Sequence, residues 1–236
     1  MKNRMIGFFG VAVIVLTSVS AHAIVIGAGD ITNPATDPSY SYDLTYADMV
    51  VYDNVTSNWV ADQTTFDADF VHTNMEVFKP GPAAVRAVTG FTNAMATITF
   101  DFSSSGYAPT NVVFKDSIFL FSEAAGERVA GESMYSTDGS SWTTISSSTT
   151  TNGSVVNSGG VSVALNSPST VYYRIQFDVL AGDSDGSFNQ DANQWSRTGG
   201  GAQHFVADFD LIPEPASIGL LLTAGGVAVF LRRMRR

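Results

Sequence analysis

Side chains able to gather oxygens around a hard cation are concentrated at Asp183-x-Asp185-Gly186, with Asn189 and Asp191 close behind. Alternating aspartates ahead of a glycine let several oxygens face one Ca2+ ion, as in the first half of a calcium loop. The run departs from a full EF-hand, which ends on a bidentate glutamate at its twelfth position, so a polar turn between strands is the competing reading. Just beyond, Trp195 and Arg197 offer an aromatic face and a forked donor, a pair suited to holding a sugar ring. Asp67-x-Asp69-x-x-His72 also has metal-ligand types, yet on a single strand His72 falls on the opposite face from the two aspartates. Glu123, Glu127 and Glu132 could supply a glycosidase pair, which needs two carboxyls roughly 5–9 Å apart, a separation that spacing alone does not set. His204 follows a glycine run with no serine elbow near it. The chain has no cysteine, which excludes thiolate metal sites, disulfides and cysteine nucleophiles within it. No residue is assigned a catalytic role.

The elements that must position these groups are strands. Ala96, Ile98, Phe100 and Phe102 alternate with Thr97, Thr99 and Asp101, and Val171, Tyr173, Ile175, Phe177 and Val179 alternate with Tyr172, Arg174, Gln176 and Asp178. Phe205, Ala207, Phe209 and Leu211 repeat the pattern, and each such run reads as a half-buried strand. Further strands are expected over 40–46, 66–78 with a parity change near Val71, 112–121 buried on both faces, 134–136, 142–145 and 161–165. The serine- and threonine-rich run 146–151 reads as an exposed loop. No sustained helical period occurs in the body, apart from a turn that 123–132 could hold. Many short strands separated by turn residues predict an all-β, antiparallel β-sandwich, preferably a jelly roll.

Of the 236 residues 44% are hydrophobic and 14% charged, with 12 Lys and Arg against 22 Asp and Glu. The excess acid excludes a nucleic-acid binder, whose phosphate contacts need a basic footprint. Both ends differ from the middle. Lys2 and Arg4 precede the apolar run 6–19, and Ala21-His22-Ala23 closes it with small residues, which predicts a secretory signal peptide over 1–23, removed by signal peptidase. At the other end Pro213-Glu214-Pro215 leads into an apolar stretch over 216–231 and then Arg232, Arg233, Arg235 and Arg236. This predicts one weak transmembrane helix whose arginines stay on the cytoplasmic side and stop the chain there. The prolines keep the backbone before it extended. Between the ends, one domain over 24–212 carries 6 basic and 21 acidic residues, a formal charge of −15.

Pro213-Glu214-Pro215-Ala216-Ser217, Gly219-Leu220-Leu221 and the closing arginines together resemble the PEP-CTERM sorting signal. The resemblance covers 213–236. It implies that an exosortase, a membrane cysteine protease of Gram-negative bacteria, recognises and cuts the chain near the motif. It also implies a destination on the cell surface, in the envelope or in exopolysaccharide, with the membrane engaged through the C-terminal helix until processing. Those residues are substrate, not catalyst.

Within the body, Tyr135-Ser136-Thr137-Asp138-Gly139-Ser140-Ser141-Trp142 resembles a hairpin of exported galactose-binding-like jelly rolls. Asp138-Gly139 supplies the turn, and Tyr135 and Trp142 flank it as aromatics expected to pack on one sheet. The expected function is a non-enzymatic surface or matrix protein contacting polysaccharide or Ca2+. A carbohydrate-active enzyme and an adhesin assembling through sheet edges are the rivals.

Overall fold

A computed structural model describes residues 22–78, 84–120, 128–150, 154–157, 160–183, 186–188, 193–195 and 203–214. Among these residues the strands are β1 (Ala23–Val25), β2 (Ser39–Thr45), β3 (Val50–Asp53), β4 (Asn58–Ala61), β5 (Phe70–Thr73), β6 (Met75–Phe78), β7 (Ala84–Ala87), β8 (Asn93–Asp101), β9 (Tyr107–Lys115), β10 (Ser117–Leu120), β11 (Val129–Ser136), β12 (Thr143–Thr150), β13 (Ser154–Asn157), β14 (Val161–Ala164), β15 (Thr170–Val179), β16 (Asn193–Trp195) and β17 (Gln203–Pro213). The single α-helix among the described residues is α1 (Thr64–Asp69).

The strands form an all-β sandwich. One sheet runs β1-β8-β15-β11-β12, with β5 also on β8, and a second runs β14-β9-β17-β2. A third, β13-β10-β16-β7-β6, is entered directly from β9 through Asp116, and β3 and β4 form a separate pair. Pairing is antiparallel except between β1 and β8, which run parallel. The alternating residues face as the period-two pattern demands. Val171, Tyr173, Ile175 and Phe177 of β15 are buried, while Tyr172, Arg174 and Gln176 reach the outer face.

Aromatic rings join the first two of these sheets. Phe209 of β17 meets Phe100 of β8 and Phe102 just beyond it edge-on, both at 5.0 Å between ring centres. Tyr173 of β15 lies 4.3 Å from Phe205 of β17 and 5.2 Å from Phe114 of β9. These buried rings supply much of the apolar area whose removal from water drives folding.

Three stretches depart from the sequence expectation. Residues 66–78 are not one strand: they hold the end of α1, then β5 and β6, separated at Asn74, whose φ of +53° breaks the run. The helix begins where the Asp62 carboxylate accepts the Thr64 N–H, and it carries Phe66 inward onto Phe70. Residues 112–121 divide at Asp116 into β9 and β10, and β9 keeps an alternating half of its length rather than burying both faces. The run 146–150 is strand, not loop, because β12 pairs along β11 as far as Val129↔Thr150. Its residues are small and polar, and the backbone ladder to β11 gives it its strand form.

Gly131 shows how closely the layers approach. A Cβ built there would lie 2.7 Å from Ile118 Cγ2 and 3.0 Å from Leu120 Cδ2, both fully buried residues of β10. Gly131→Ala is therefore expected to cost about 1–3 kcal/mol by overpacking, read as a lower chemical denaturation midpoint with unchanged slope. An unaltered midpoint would show that β10 can shift away from β11.

Candidate functional site

The first and last described stretches of the body meet at one turn. The turn 102–106 between β8 and β9, with Asp101 just before it, bonds both: the Ile26 N–H donates to Asp101 O at 2.8 Å, the Ser104 hydroxyl donates to Ile26 O, and the Glu214 N–H donates to Gly106 O at 2.9 Å. Pro213 pairs with Tyr107 as the last residue of β17. The first two residues of the Pro213-Glu214-Pro215 motif are thus folded onto the sheet. Pro215, the apolar stretch 216–231 and Arg232, Arg233, Arg235 and Arg236 lie outside the described residues, as does the segment 1–21. No helix among the described residues is long and apolar enough to cross a membrane.

Asp183, the first residue of the 183–191 cluster, follows the far end of β15. There the Asp183 carboxylate braces the turn, accepting the Arg128 N–H at one oxygen and the Gly186 N–H, at 2.9 Å, at the other. Arg128 in turn donates from its guanidinium to Ala181 O at 3.0 Å. Both oxygens of Asp183 are engaged by backbone donors, which is the polar-turn geometry. Asp185, Asn189 and Asp191 lie outside the described residues, and among the described residues no three His, Asp or Glu side chains converge as a metal site. Trp195 is the last residue of β16, paired with Ile118 on one side and Val85 on the other. Its intended partner Arg197 lies outside the described residues.

An aromatic and a guanidinium do meet, but elsewhere. Arg174 of β15 lays its guanidinium carbon 3.8 Å from the centre of the Trp142 ring, a cation–π contact, and donates from Nε to Thr97 Oγ1 at 3.1 Å. Burial lowers the Arg174 pKa. Tyr172 meets the same indole edge-on, and Gln176, hydrogen-bonded to Asp178 at 2.6 Å, extends the outer face with Glu132 opposite it in register. The result is a broad polar sheet face with two aromatics, Trp142 and Tyr172, toward one end. Tyr135 and Trp142 therefore do not share a face: Tyr135 pairs with Tyr173 and leans toward Phe114 in the core, while Trp142 lies outside.

The Asp138-Gly139 turn forms as read. Asp138 accepts the N–H groups of Ser141 and Ser140 and the Ser136 hydroxyl, and these bonds hold its carboxyl well below the usual range. Gly139 has a φ of +72°, a conformation that glycine adopts without a Cβ penalty. The crevice beside it, lined by Tyr135, Thr137, Asp138, Ser141 and Leu165, is about 270 Å3, below the size of ordinary ligand pockets.

Other candidates resolve simply. Asp67 lies on α1, and His72 on β5 bonds its carboxylate at 2.9 Å, so the two do come together, contrary to the single-strand reading. Glu123 and Glu127 lie outside the described residues. His204 falls where the β17–β2 register shifts.

One feature of the surface escaped the sequence reading. The β3–β4 hairpin pairs with no third strand among the described residues and carries Tyr52 directly opposite Trp59. These rings are 43% and 50% exposed, with centres 5.5 Å apart and planes at 69°. The signal available was two short apolar runs, 50–52 and 59–61, on either side of the polar turn 53–58.

No family model and no curated protein matches the chain. Among solved structures it is similar to the N-terminal CBM22-1–CBM22-2 tandem domain of Paenibacillus barcinonensis Xyn10C, at 9% identity over 73% of this chain with a TM-score of 0.36. The chain spans about half the length of that structure, 50% of it. It is also similar to TmCBM61 solved with β-1,4-galactotriose, at 11% identity over 61% of this chain and 87% of that one, with a TM-score of 0.28. A third is a carbohydrate-binding module of the β-sandwich superfamily, at 13% identity over 75% and 74%, with a TM-score of 0.27.

Proposed function

We propose that the chain is an exported, non-catalytic surface or matrix protein that an exosortase processes at its tail, leaving a jelly-roll body that contacts polysaccharide. What carries this reading is the fit of the folded body between the two end segments. β1 opens at Ala23, where the leader would end, and β17 closes at Pro213, where the sorting motif begins. The jelly-roll assignment is supported by chain crossings such as β8 to β9, which pass from one packed sheet to the other. Polysaccharide is preferred to Ca2+ as the ligand because both Asp183 oxygens already accept backbone donors.

The test is expression of the full chain in a Gram-negative host with and without a co-expressed exosortase, followed by intact-mass analysis of the envelope fraction. Loss of the arginine-rich tail only when the exosortase is present is the expected result. A tail retained under both conditions, with the protein still in the membrane, would overturn the sorting reading.

A further inference from the structure

We propose that the β3–β4 hairpin is the contact site for a neutral polysaccharide, with Trp59 as its stacking platform and Tyr52 as the ring that sets the platform's angle. The inference rests on the polysaccharide reading above and names its site.

The hairpin is an ordered projection. At its base the Asp62 N–H bonds Met49 O at 2.9 Å, and Asp48 accepts the N–H and hydroxyl of Thr45. At its tip the Asp53 carboxylate accepts the Val55 N–H at 2.8 Å and the Thr56 hydroxyl at 2.6 Å. These bonds hold the Asp53 carboxyl below its ordinary value, the Thr56 hydroxyl contributing most and the Val55 N–H next. All four residues of β4 are exposed, so the core does not account for the indole. Tyr52 meets Trp59 edge-to-face across the strands and does not stack on it.

Charge and area select the occupant. From residue 24 to residue 78 the chain has nine acids and no Lys or Arg. Such a surface repels anionic glycans, anionic lipid headgroups and a second copy of the same acidic body. A stable protein contact buries about 800 Å2 per partner; the face with Tyr52 and Trp59 offers two half-exposed rings of roughly 150–250 Å2 each, and the exposed Val51 and Val60, opposite each other, alternate onto the other face. A pyranose suits what is left: its C–H face is uncharged and covers an indole, and its hydroxyls can donate to the carboxylates of Asp48 and Asp62 at the base of the hairpin, each of which has one oxygen engaged, by Thr45 and Thr64 respectively.

The experiment is affinity electrophoresis of the full chain in mild detergent, in native gels containing xylan, galactan or hydroxyethylcellulose, with alginate as the anionic comparison. Wild type is expected to be retarded by at least one neutral polymer, with Trp59→Ala about tenfold weaker, Tyr52→Ala weakened less, and both melting as wild type does. If Trp59→Ala lowers the melting temperature, Trp59→Leu keeps apolar volume without a ring face and is expected to show the same loss. Equal retardation of wild type and Trp59→Leu would overturn the site while leaving the polysaccharide reading intact. Retardation by alginate alone, or concentration-dependent self-association abolished by Trp59→Leu, would overturn the choice of occupant. No retardation by any polymer would overturn both the site and the polysaccharide reading.

Discussion

Phe209→Ala is expected to destabilise the sandwich by about 3–5 kcal/mol, because the ring is central to the contact between the β8–β15 sheet and the β9–β17 sheet. It is 1% exposed and meets Phe100, Phe102, Tyr40 and Phe114. The five rings come from four separate stretches of chain, Tyr40, Phe114 and Phe209 on one sheet and Phe100 and the adjoining Phe102 on the other. Neighbours held in two ladders collapse only partly into the space, so the cost includes the cavity as well as the lost transfer energy. Total stability for such a domain is on the order of 5–15 kcal/mol, so a large share is at stake. For this size the melting temperature should fall by on the order of 10 °C. Phe91→Ala is the matched comparison: Phe91 is 46% exposed, and its backbone carbonyl still accepts the Phe188 N–H after truncation. Its expected effect is within about 0.5 kcal/mol. Similar melts for both variants would show that the inter-sheet cluster is not where stability resides.

Stability should also fall steeply in alkali, through buried tyrosines. Burial raises Tyr173 well above the ordinary phenol value, and the nearby Asp116, which accepts its hydroxyl, adds to the effect. Tyr42 is raised by burial and by its bond to Asp69, and Tyr40 is pushed up to about 12 by burial, with Asp30 and Asp69 adding to it. In the unfolded chain the same phenols ionise near pH 10. Folded pKa values above unfolded ones make the folded state bind more protons over that interval, so the stability they contribute is complete below about pH 10 and drains away as pH rises through the folded values. The expected observation is a cooperative loss of circular dichroism above about pH 10, accompanied by the tyrosinate absorbance of the buried rings. Tyr173→Phe should lose about 1–3 kcal/mol at neutral pH by leaving Asp116 without its phenol donor, and its alkaline slope should be shallower by one proton. Full tyrosinate absorbance near pH 10 with unchanged circular dichroism would overturn the prediction.

How much of this was legible in the sequence depends on what each residue packs against. β8, β15 and β17 each have one face on the core and one toward solvent, so apolar and polar residues alternate and the strands can be read directly. α1 has six residues, too few to display a helical period, and its start rests on the Asp62 carboxylate. The 146–150 strand is invisible to a hydrophobic pattern because its partner β11 supplies the ladder. At the surface, Asp183 was legible as a turn residue through its local bond to Gly186, while its bond to Arg128, 55 residues away, was not. The Trp142–Arg174 contact was not, since the two residues become neighbours only when β11 lies between β12 and β15. Tyr52 and Trp59 escaped because their apolar character answers to no core.

The meeting of Ile26 and Glu214 at the 102–106 turn also determines how the sandwich bears mechanical load. β2 pairs with β17 so that Ser39 faces Asp210 and Thr45 faces Gln203, and the β3–β4 hairpin follows β2 at the end away from Pro213. A pull between Pro213 and that hairpin runs along β17, which is bonded to β9 on one side and β2 on the other. Ladder bonds lie across the strands, so such a pull shears many of them together instead of opening them one by one. A tether at one end and a grip at the other would therefore load the fold along its most resistant direction.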